Sequence, residues 1–564
     1  MSRKENHILF IEQELRAQVK DFEEKLSTNA YEMLFDSRGG LYVSKFITIQ
    51  DNGELVLKMT NSRNLPRRRD YLYAFTLPDD VRSYKKWGNR TYGQLIDLKT
   101  HFSEVHCIWK SICDEGQASL VGFRGVSTEF CEYIKKSPGC IIVLGPQVPP
   151  YQYLANLEYI VNKDNPCTYD ILNCVQSNKI CNPTLLQSTT GNSKRIIDLL
   201  ADNDTIILQG PPGTGKTQLI SEVAAHFCLN NKSVLITAFT NRALMEVAEK
   251  SALLPFLQKQ KVTKANLTSD EIRELSLLLP DKELKPRVGE IQLSTYYVAS
   301  GVARETQSSR FDLVIMDEAS QAFLGMFAAS KILGVKQLWV GDTHQMPPIS
   351  LQNREHIERH HMVDFVEGMN TVTSAGLYPI CQLTHTFRLP PKSTELTSIF
   401  YDGTLMPVKT IKEEQGPTLL TIPMRYNESI SQGTSVLILS IIESIYRHSP
   451  KAKIAVLSQM KESVQIIDTA VFGRFGNKEH LIVDTVARVQ GLTTDFVIYV
   501  IPNNESQYYS LDPKLFNVAT SRAMCKTIIV ADEKILQYMH VSESVARYLN
   551  NMYLCKNITE LKYQ

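Results

Sequence analysis

The chain lacks an excess of charge of either sign. Its 61 Lys and Arg balance 60 Asp and Glu for a formal net charge of +1. Overall charge therefore names no partner, and any nucleic-acid contact must come from a local basic groove. There is no apolar run of about eighteen residues, the length a membrane-spanning helix needs. The start, Met1-Ser-Arg-Lys-Glu-Asn6, has no apolar signal core. These absences predict no membrane partner and a cytoplasmic location, or a nuclear one in a eukaryote. The 11 cysteines, an odd number, contain no C-x-x-C pair, so free thiols in a reducing compartment are expected rather than a disulfide framework. Cys167, Cys174 and Cys181 recur at a regular spacing. Without closely paired ligands or a suitably spaced His, they read as core thiols and not as a zinc or iron–sulfur site. Internal repeats and low-complexity tracts are also absent.

What is present fits a multidomain globular chain. At 564 residues and 43% hydrophobic content there is room for three or four domains. Ile8, Ile11, Leu15, Val19, Phe22 and Leu26 recur at steps of three and four, with Glu12, Glu14, Arg16, Lys20 and Glu23 between them. This predicts one amphipathic helix over 7–26, either a stalk or a helix docked on a core. Alternating segments at 41–49, 54–59 and 71–76, the Asp51-Asn-Gly53 turn, and further strands at 118–124 and 140–144 predict a small β-barrel-like domain. Arg63, Arg67, Arg68, Arg69, Tyr84, Lys85, Lys86 and Trp87 interleave charge with aromatic rings in that region. Such a mixture suits a single-stranded nucleic-acid groove or a solvated loop.

After about Asn192 the pattern becomes strand–helix alternation, with apolar strands expected at 205–209, 233–238, 311–316, 336–340, 435–439, 453–457, 495–501 and 526–531. The expected fold class is α/β: two parallel-sheet domains in tandem behind the helix and the barrel. The expected divisions are 1–39 for the helix, 40–150 for the barrel and 151–190 for a connecting segment. The first α/β domain is expected at 191–376, with a charged helical insertion near 250–290, and the second at 377–564.

The chemistry begins at Gly210-Pro211-Pro212-Gly213-Thr214-Gly215-Lys216-Thr217, between the strand 205–209 and a helix from Gln218 to Leu229. In that context G-x-x-x-x-G-K-T aims backbone N–H groups and a helix N-terminus at a polyphosphate. Lys216 is placed for the outer phosphates and the Thr217 hydroxyl for Mg²⁺. Asp317 and Glu318 follow the buried strand 311–316. Asp317 suits the same Mg²⁺, and Glu318 suits the attacking water. Gln345, in the polar exit after Leu338-Trp-Val-Gly-Asp342, is placed to sense the γ-phosphate. Arg388 and Arg522 lie far along the chain. If two domains face across a cleft, both guanidiniums reach the transferring phosphoryl group as arginine fingers.

The ordered set GPPGTGKT (210–217), TAFTNRAL (237–244), STYYVASG (294–301), MDEASQA (316–322), GDTHQMPP (341–348), THTFRLPP (384–391), FYDGTL (400–405), DTVARVQG (484–491) and NVATSRA (517–523) resembles superfamily 1 helicases. The nearest branch is that of the nonsense-mediated-decay RNA helicase and its DNA-acting relatives. The resemblance covers about 190–535. It implies two RecA-like domains with ATP and Mg²⁺ between them, and single-stranded DNA or RNA across their top, travelled 5′→3′. By position it implies nucleic-acid contacts from Thr240, Asn241, Thr295 and Thr485. It also implies nucleotide contacts from Gln218, Asn192, Phe387 and Gly491, with Phe387 stacking on adenine. The implied activity is an ATP-dependent helicase or translocase. An ATPase switch that remodels complexes without unwinding, or a catalytically inactive binding module, are the rival readings; protein partners are not indicated.

Three positions depart from the pattern. Asn192 stands where a glutamine usually reads adenine, with Gln187 as a second candidate. Thr493 replaces a ribose-binding Glu, and Thr386 replaces a Gln. These departures predict relaxed nucleoside selectivity. GTP and dATP should turn over nearly as fast as ATP in a side-by-side assay, and a strong ATP preference would show that other residues read the base.

Overall fold

The computed structural model describes residues 2–36, 40–61, 65–112, 119–177, 182–306, 310–411, 415–427, 430–478, 480–504, 507–537 and 541–563. Arg63, Ala118 and Cys181 lie outside the described residues.

The expected N-terminal helix spans Arg3–Ser27, and a Ser2–Glu5 capping box starts it. Its buried stripe is His7, Phe10, Ile11, Glu14 and Phe22. Glu14 is therefore not on the solvated face expected of it. Its carboxylate accepts hydrogen bonds from Ser350 Oγ and the Leu351 N–H, which is how a buried charge is tolerated. Phe10 and Ile11 join Tyr153, Leu154 and Leu157 of the helix Tyr151–Asn162 in the first motor core. The N-terminal helix is thus docked along the body, and the "connecting" segment is part of that core.

Strands β1 (Tyr42–Ile49), β2 (Leu55–Met59), β3 (Tyr71–Phe75), β4 (Phe102–Ile112), β5 (Ser119–Arg124) and β6 (Ile141–Gly145) form a closed antiparallel barrel in the order β1-β2-β5-β4-β3-β6. The turn Asp51–Gly53 joins β1 to β2, and Gly53 takes φ +79° there. The longest strand, β4, is the one the sequence reading omitted. A bulge between Cys107 and Trp109 breaks the alternation that would have announced it.

All strands of the first motor sheet are parallel. β7 (Thr184–Leu186), β8 (Thr205–Gln209), β9 (Val234–Ala238), β10 (Val262–Ala265), β11 (Leu279–Asp281), β12 (Ile291–Thr295), β13 (Phe311–Met316), β14 (Gly334–Gly341) and β15 (Ile380–Leu383) lie in the order β11-β10-β12-β9-β13-β14-β8-β15-β7. Two findings differ from expectation. The stretch 250–290 is not a helical insertion, because it supplies the edge strands β10 and β11. Buried Lys264, paired with Glu271 at 3.1 Å, is part of what made it look like a charged surface. In addition, β7 and β15 belong to this sheet, so its last strand lies beyond the boundary expected at residue 376.

A short parallel pair, β16 (His385–Thr386) and β17 (Met406–Pro407), leads to the second sheet. There β18 (Thr418–Ile422), β19 (Ile454–Ser458), β20 (Leu481–Thr485), β21 (Thr494–Val500), β22 (Ala523–Asp532) and β23 (Tyr553–Cys555) run parallel in the order β20-β19-β21-β22-β18-β23. The expected strand at 435–439 is wrong: it lies inside the helix Gln432–His448. Ser431 caps that helix, and Ile438, Ile441, Ile442 and Ile445 bury one face at helical spacing. A short apolar run does not distinguish strand from helix by itself.

The basic–aromatic cluster is not a free groove. Trp87 is fully buried and donates from Nε1 to the Val81 carbonyl. Arg68 donates to the carbonyls of Lys478 and Leu481. Arg488 pairs with Asp70, and Arg69 lies 4.0 Å from Asp484. Lys110, buried, pairs with Asp468 and lies over the Phe472 ring. These contacts dock the barrel on the second motor domain. Asp468→Ala strands the Lys110 charge, a loss of about 3–5 kcal/mol for a buried pair. Amide exchange should then accelerate at Arg67–Tyr71 and Leu481–Thr485. Unchanged exchange there would show that the junction holds without the pair.

Candidate nucleotide site

In parallel α/β sheets, ligands gather at the carboxyl ends of strands. The candidate residues lie there. The loop 210–215 follows β8, Asp317 follows β13, Gln345 follows β14, and β13, β14 and β8 are neighbours. Gly213 and Gly215 have φ +72° and +83°, and the helix Lys216–Leu229 starts directly after them. Gly210 is needed for a second reason: a Cβ there would meet the Lys216 side chain at 2.4 Å. Lys216 Nζ donates to the Gly210 carbonyl at 2.6 Å, so its ammonium lies in the mouth of the loop. Thr217 is half-buried in the first turn of this helix. Gln218 is exposed and bonds Glu222.

Asp317 is buried. Desolvation, reinforced by neighbouring Glu318, pushes its carboxyl up to about 7, while Lys216 and the Glu318 N–H pull the other way. A divalent cation would reverse that shift. With the Thr217 hydroxyl it makes a small oxygen-only donor set, the kind Mg²⁺ shares with phosphates. Glu318 takes φ +53°, unusual for a non-glycine residue. Its carboxylate accepts from Gln490 Nε2 of the second motor domain at 3.4 Å.

The segment 386–388 backs directly onto the loop. Thr386 Oγ1 donates to the Pro212 carbonyl at 2.9 Å, and the Phe387 N–H to that of Gly213 at 2.8 Å. Thr386, read as a departure, thus holds the aromatic–arginine pair against the phosphate loop. Arg522 is buried and Arg388 half-buried. Arg388 Nη1 donates to the Ser521 carbonyl. Arg522 bonds the Val518 carbonyl and reaches Gln345 Oε1 at 3.5 Å. Desolvation, and then the Arg522 charge, holds Arg388 down to about 9; burial also lowers Arg522. Among the described residues neither guanidinium forms an ion pair with a carboxylate. Two neighbouring cations drawn largely out of water mark a place for an anion.

A polar chain joins the two motor domains, and the sequence reading missed most of it. Asp342, after β14, accepts from Gln209 Nε2 at 2.8 Å, Gln345 Nε2 at 2.9 Å and the Tyr401 hydroxyl at 2.6 Å. Tyr401 accepts in turn from Asn517 Nδ2 at 2.8 Å, and Asn517 also donates to the His344 carbonyl. Asp342 and Tyr401 stood in quoted motifs, but only the fold puts them in contact.

The remaining candidates are more dispersed. Asn192 opens the helix Asn192–Asp202 and bonds the Ser188 carbonyl. The Phe387 ring is half-exposed over Gly215, and Gly491 has φ +83° in open space. Thr240, Thr295 and Thr485 stand at the N-cap positions of the helix or turn that follows β9, β12 or β20, and of the three Thr240 makes a side-chain cap bond, from the Ala243 N–H. Asn241 is exposed beside Thr240.

A family model described as an AAA domain matches residues 193–351, and another, also described as an AAA domain, matches residues 369–534. The chain is similar to Regulator of nonsense transcripts 1 homolog of Arabidopsis thaliana, 24% identical over 58% of this chain and 31% of that protein. It is similar to ATP-dependent helicase NAM7 of Saccharomyces cerevisiae, 25% identical over 63% and 42%. It is also similar to DNA replication ATP-dependent helicase/nuclease DNA2 of Homo sapiens, 23% identical over 63% and 38%. The chain spans about a third of the length of the first curated relatives it matches. An arterivirus nonstructural protein 10 (helicase) solved with DNA is similar over 60% of this chain and 63% of that one, at TM-score 0.34 and 14% identity. Among the described residues no helix is long and apolar enough to cross a membrane.

Tyr401→Phe keeps the ring and removes one hydroxyl that donates across the domain boundary to Asp342 and accepts from Asn517 within the second domain. Breaking such a buried bond costs about 1–3 kcal/mol. Turnover at saturating nucleotide should fall with little change in nucleotide affinity. A loss of affinity alone would place the hydroxyl in ground-state binding.

Proposed function

We propose that this chain, which belongs to the superfamily 1 helicases, is an ATP-driven motor that moves 5′→3′ on single-stranded nucleic acid and unwinds duplexes ahead of it. The observation that carries the reading is a pair of guanidiniums, Arg388 half-buried and Arg522 buried, which among the described residues have no carboxylate partner and lie beside a complete phosphate loop.

In this reading the N–H groups of 213–217 and the Lys216 ammonium hold the β- and γ-phosphates. Thr217 and Asp317 hold Mg²⁺, which neutralises developing phosphate charge when bound. Glu318 orients a water for attack on the γ-phosphorus and takes its proton as the bond to the ADP oxygen breaks. Gln345 senses the γ-phosphate, and Arg388 and Arg522 stabilise the equatorial oxygens. Phe387 covers the base. Because Arg522 and Asn517 come from the second domain while Gln345 and Asp342 come from the first, hydrolysis alters the contact between domains. Thr240, Asn241, Thr295 and Thr485, at the strand ends of both sheets, grip the nucleic-acid backbone as that contact opens and closes.

Lys216→Ala should abolish hydrolysis. Glu318→Gln should bind nucleotide and lower turnover about 10²–10⁴-fold. Arg522→Ala should lower turnover about 10³-fold or more with affinity largely retained. The decisive measurement is turnover with single-stranded DNA, with single-stranded RNA and with neither, beside strand displacement on duplexes with a 5′ or a 3′ overhang. Stimulation without displacement would replace the helicase by a remodelling switch. Turnover near wild type in Lys216→Ala or Glu318→Gln would remove the site assignment.

A further inference from the structure

The barrel touches both motor domains. On the second domain, Asp70 Oδ1 accepts from Arg488 Nη1 at 2.9 Å, and Arg488 lies one turn after Thr485. On the first, the Gly125 N–H donates to Asp270 Oδ2 at 2.8 Å, and Arg273 donates to the Asn52 carbonyl. Asp270 and Arg273 lie on the helix Ser269–Glu274. Glu274 of that helix pairs with Arg242, the neighbour of Asn241, at 2.7 Å. Each foot of the barrel therefore stands beside one of the motor's candidate nucleic-acid segments.

Between the feet runs a row of rings on the outer face of β3 and β4. Tyr71 and His106 are register partners with ring centroids 5.5 Å apart. Tyr73 stacks on Phe102 at 5.2 Å. Tyr71 is 68% exposed and Phe102 is 53% exposed, an unusual amount of bare aromatic surface for two neighbouring strands. The Tyr71–His106 rung is fixed at both ends. Tyr71 follows Asp70 of one foot, and the His106 ring lies against Gly125 of the other. Lys99 lies over Phe102 at 5.8 Å, so a cation stands at that end of the row; Arg124, the register partner of His106 at the other end, is paired with Glu54 at 2.7 Å. Glu104 is the carboxylate between the two ends, which disfavours phosphate over the centre and leaves the rings to bases.

We infer that Tyr71, Tyr73, Phe102 and His106 form a base-stacking platform for single-stranded nucleic acid, roofing the gap between the two motor domains. The inference rests on the single-strand reading of the motor. Flat exposed rings with a cation at the Phe102 end suit unpaired bases of any sequence, and a duplex offers no unstacked face to them. The platform adds grip that does not depend on the nucleotide state of the cleft, because it is built on the barrel and not on either sheet.

The test uses the full chain and labelled oligo(dT) and oligo(U), titrated without nucleotide. Tyr71→Ala and Phe102→Ala should each weaken binding about tenfold, the double variant should weaken it further, and Tyr71→Phe should bind as wild type. Tyr31→Ala, an exposed aromatic on the helix side of the barrel, should also bind as wild type. Thermal melts of all variants should coincide, since Tyr71 and Phe102 are exposed. If wild type binds and the double variant binds equally well, the platform is overturned while the motor reading stands. If Tyr71→Phe loses as much as Tyr71→Ala, the hydroxyl and not the ring is responsible, which also overturns stacking. If wild type binds neither oligomer and neither stimulates its turnover, the motor reading fails and the platform with it. Loss on oligo(U) alone, or on oligo(dT) alone, supports the platform and identifies the nucleic acid it serves.

Discussion

The boundary between the two α/β domains is arranged around two positive charges drawn largely out of water. A buried guanidinium costs several kcal/mol unless something negative is near. Here Arg388 and Arg522 have, among the described residues, carbonyl, hydroxyl and amide oxygens as partners and Glu318 as the strongest opposing charge. The surrounding structure must therefore hold them by geometry. Thr386 ties the segment before Arg388 to the phosphate loop, and the Val518 and Ser521 carbonyls tie Arg522 and Arg388 to the start of β22. A triphosphate would supply the missing charge, so binding energy and domain closure become one quantity. The Asp342–Tyr401–Asn517 chain crosses the same boundary through hydrogen bonds gathered on a carboxylate, and needs no bound ligand to close it.

Much of this was legible before any coordinates. The loop 210–217 announced itself because its glycines answer two local demands, positive φ and close approach, that few other contexts make. Asp317 and Glu318 stood out because the apolar run Leu313–Met316 ended in two carboxylates. What was not legible depended on distant partners. The strand β4 hid behind a bulge. The run 435–439 was apolar enough for either structure, and only its burial at a spacing of three and four shows which won. Lys264 read as surface because a lysine usually is, and its partner Glu271 could not be seen to face it. Arg67–Arg69 and Trp87 had the composition of a groove, but Trp87 fills the barrel's flank and the arginines are used at a junction. Composition says which contacts are chemically possible, and topology decides which are made.

The barrel changes meaning once its contacts are known. It is more than an appendage ahead of the motor, because its loops reach both domains, and the contacts are unequal. Toward the second domain there are a buried ion pair, a cation over an aromatic ring, and arginines on backbone carbonyls. Toward the first, among the described residues, there are a backbone N–H and an arginine at an exposed turn, together with the chain itself, because the helices Arg3–Ser27 and Tyr151–Asn162 that flank the barrel both pack in the first-domain core.

The position of β15 carries a consequence for how the chain is made. Its register partner Ile207 lies in β8, and its other neighbour is β7. The sheet that bears the phosphate loop therefore stays open on one side until residues 380–383 have been synthesised. The barrel, by contrast, closes on residues 42–145 alone. During synthesis the barrel can be finished while the phosphate loop still waits for a strand far downstream. Interruption between residues 341 and 380 leaves a sheet with β8 as an exposed apolar edge, a state prone to pair with another chain.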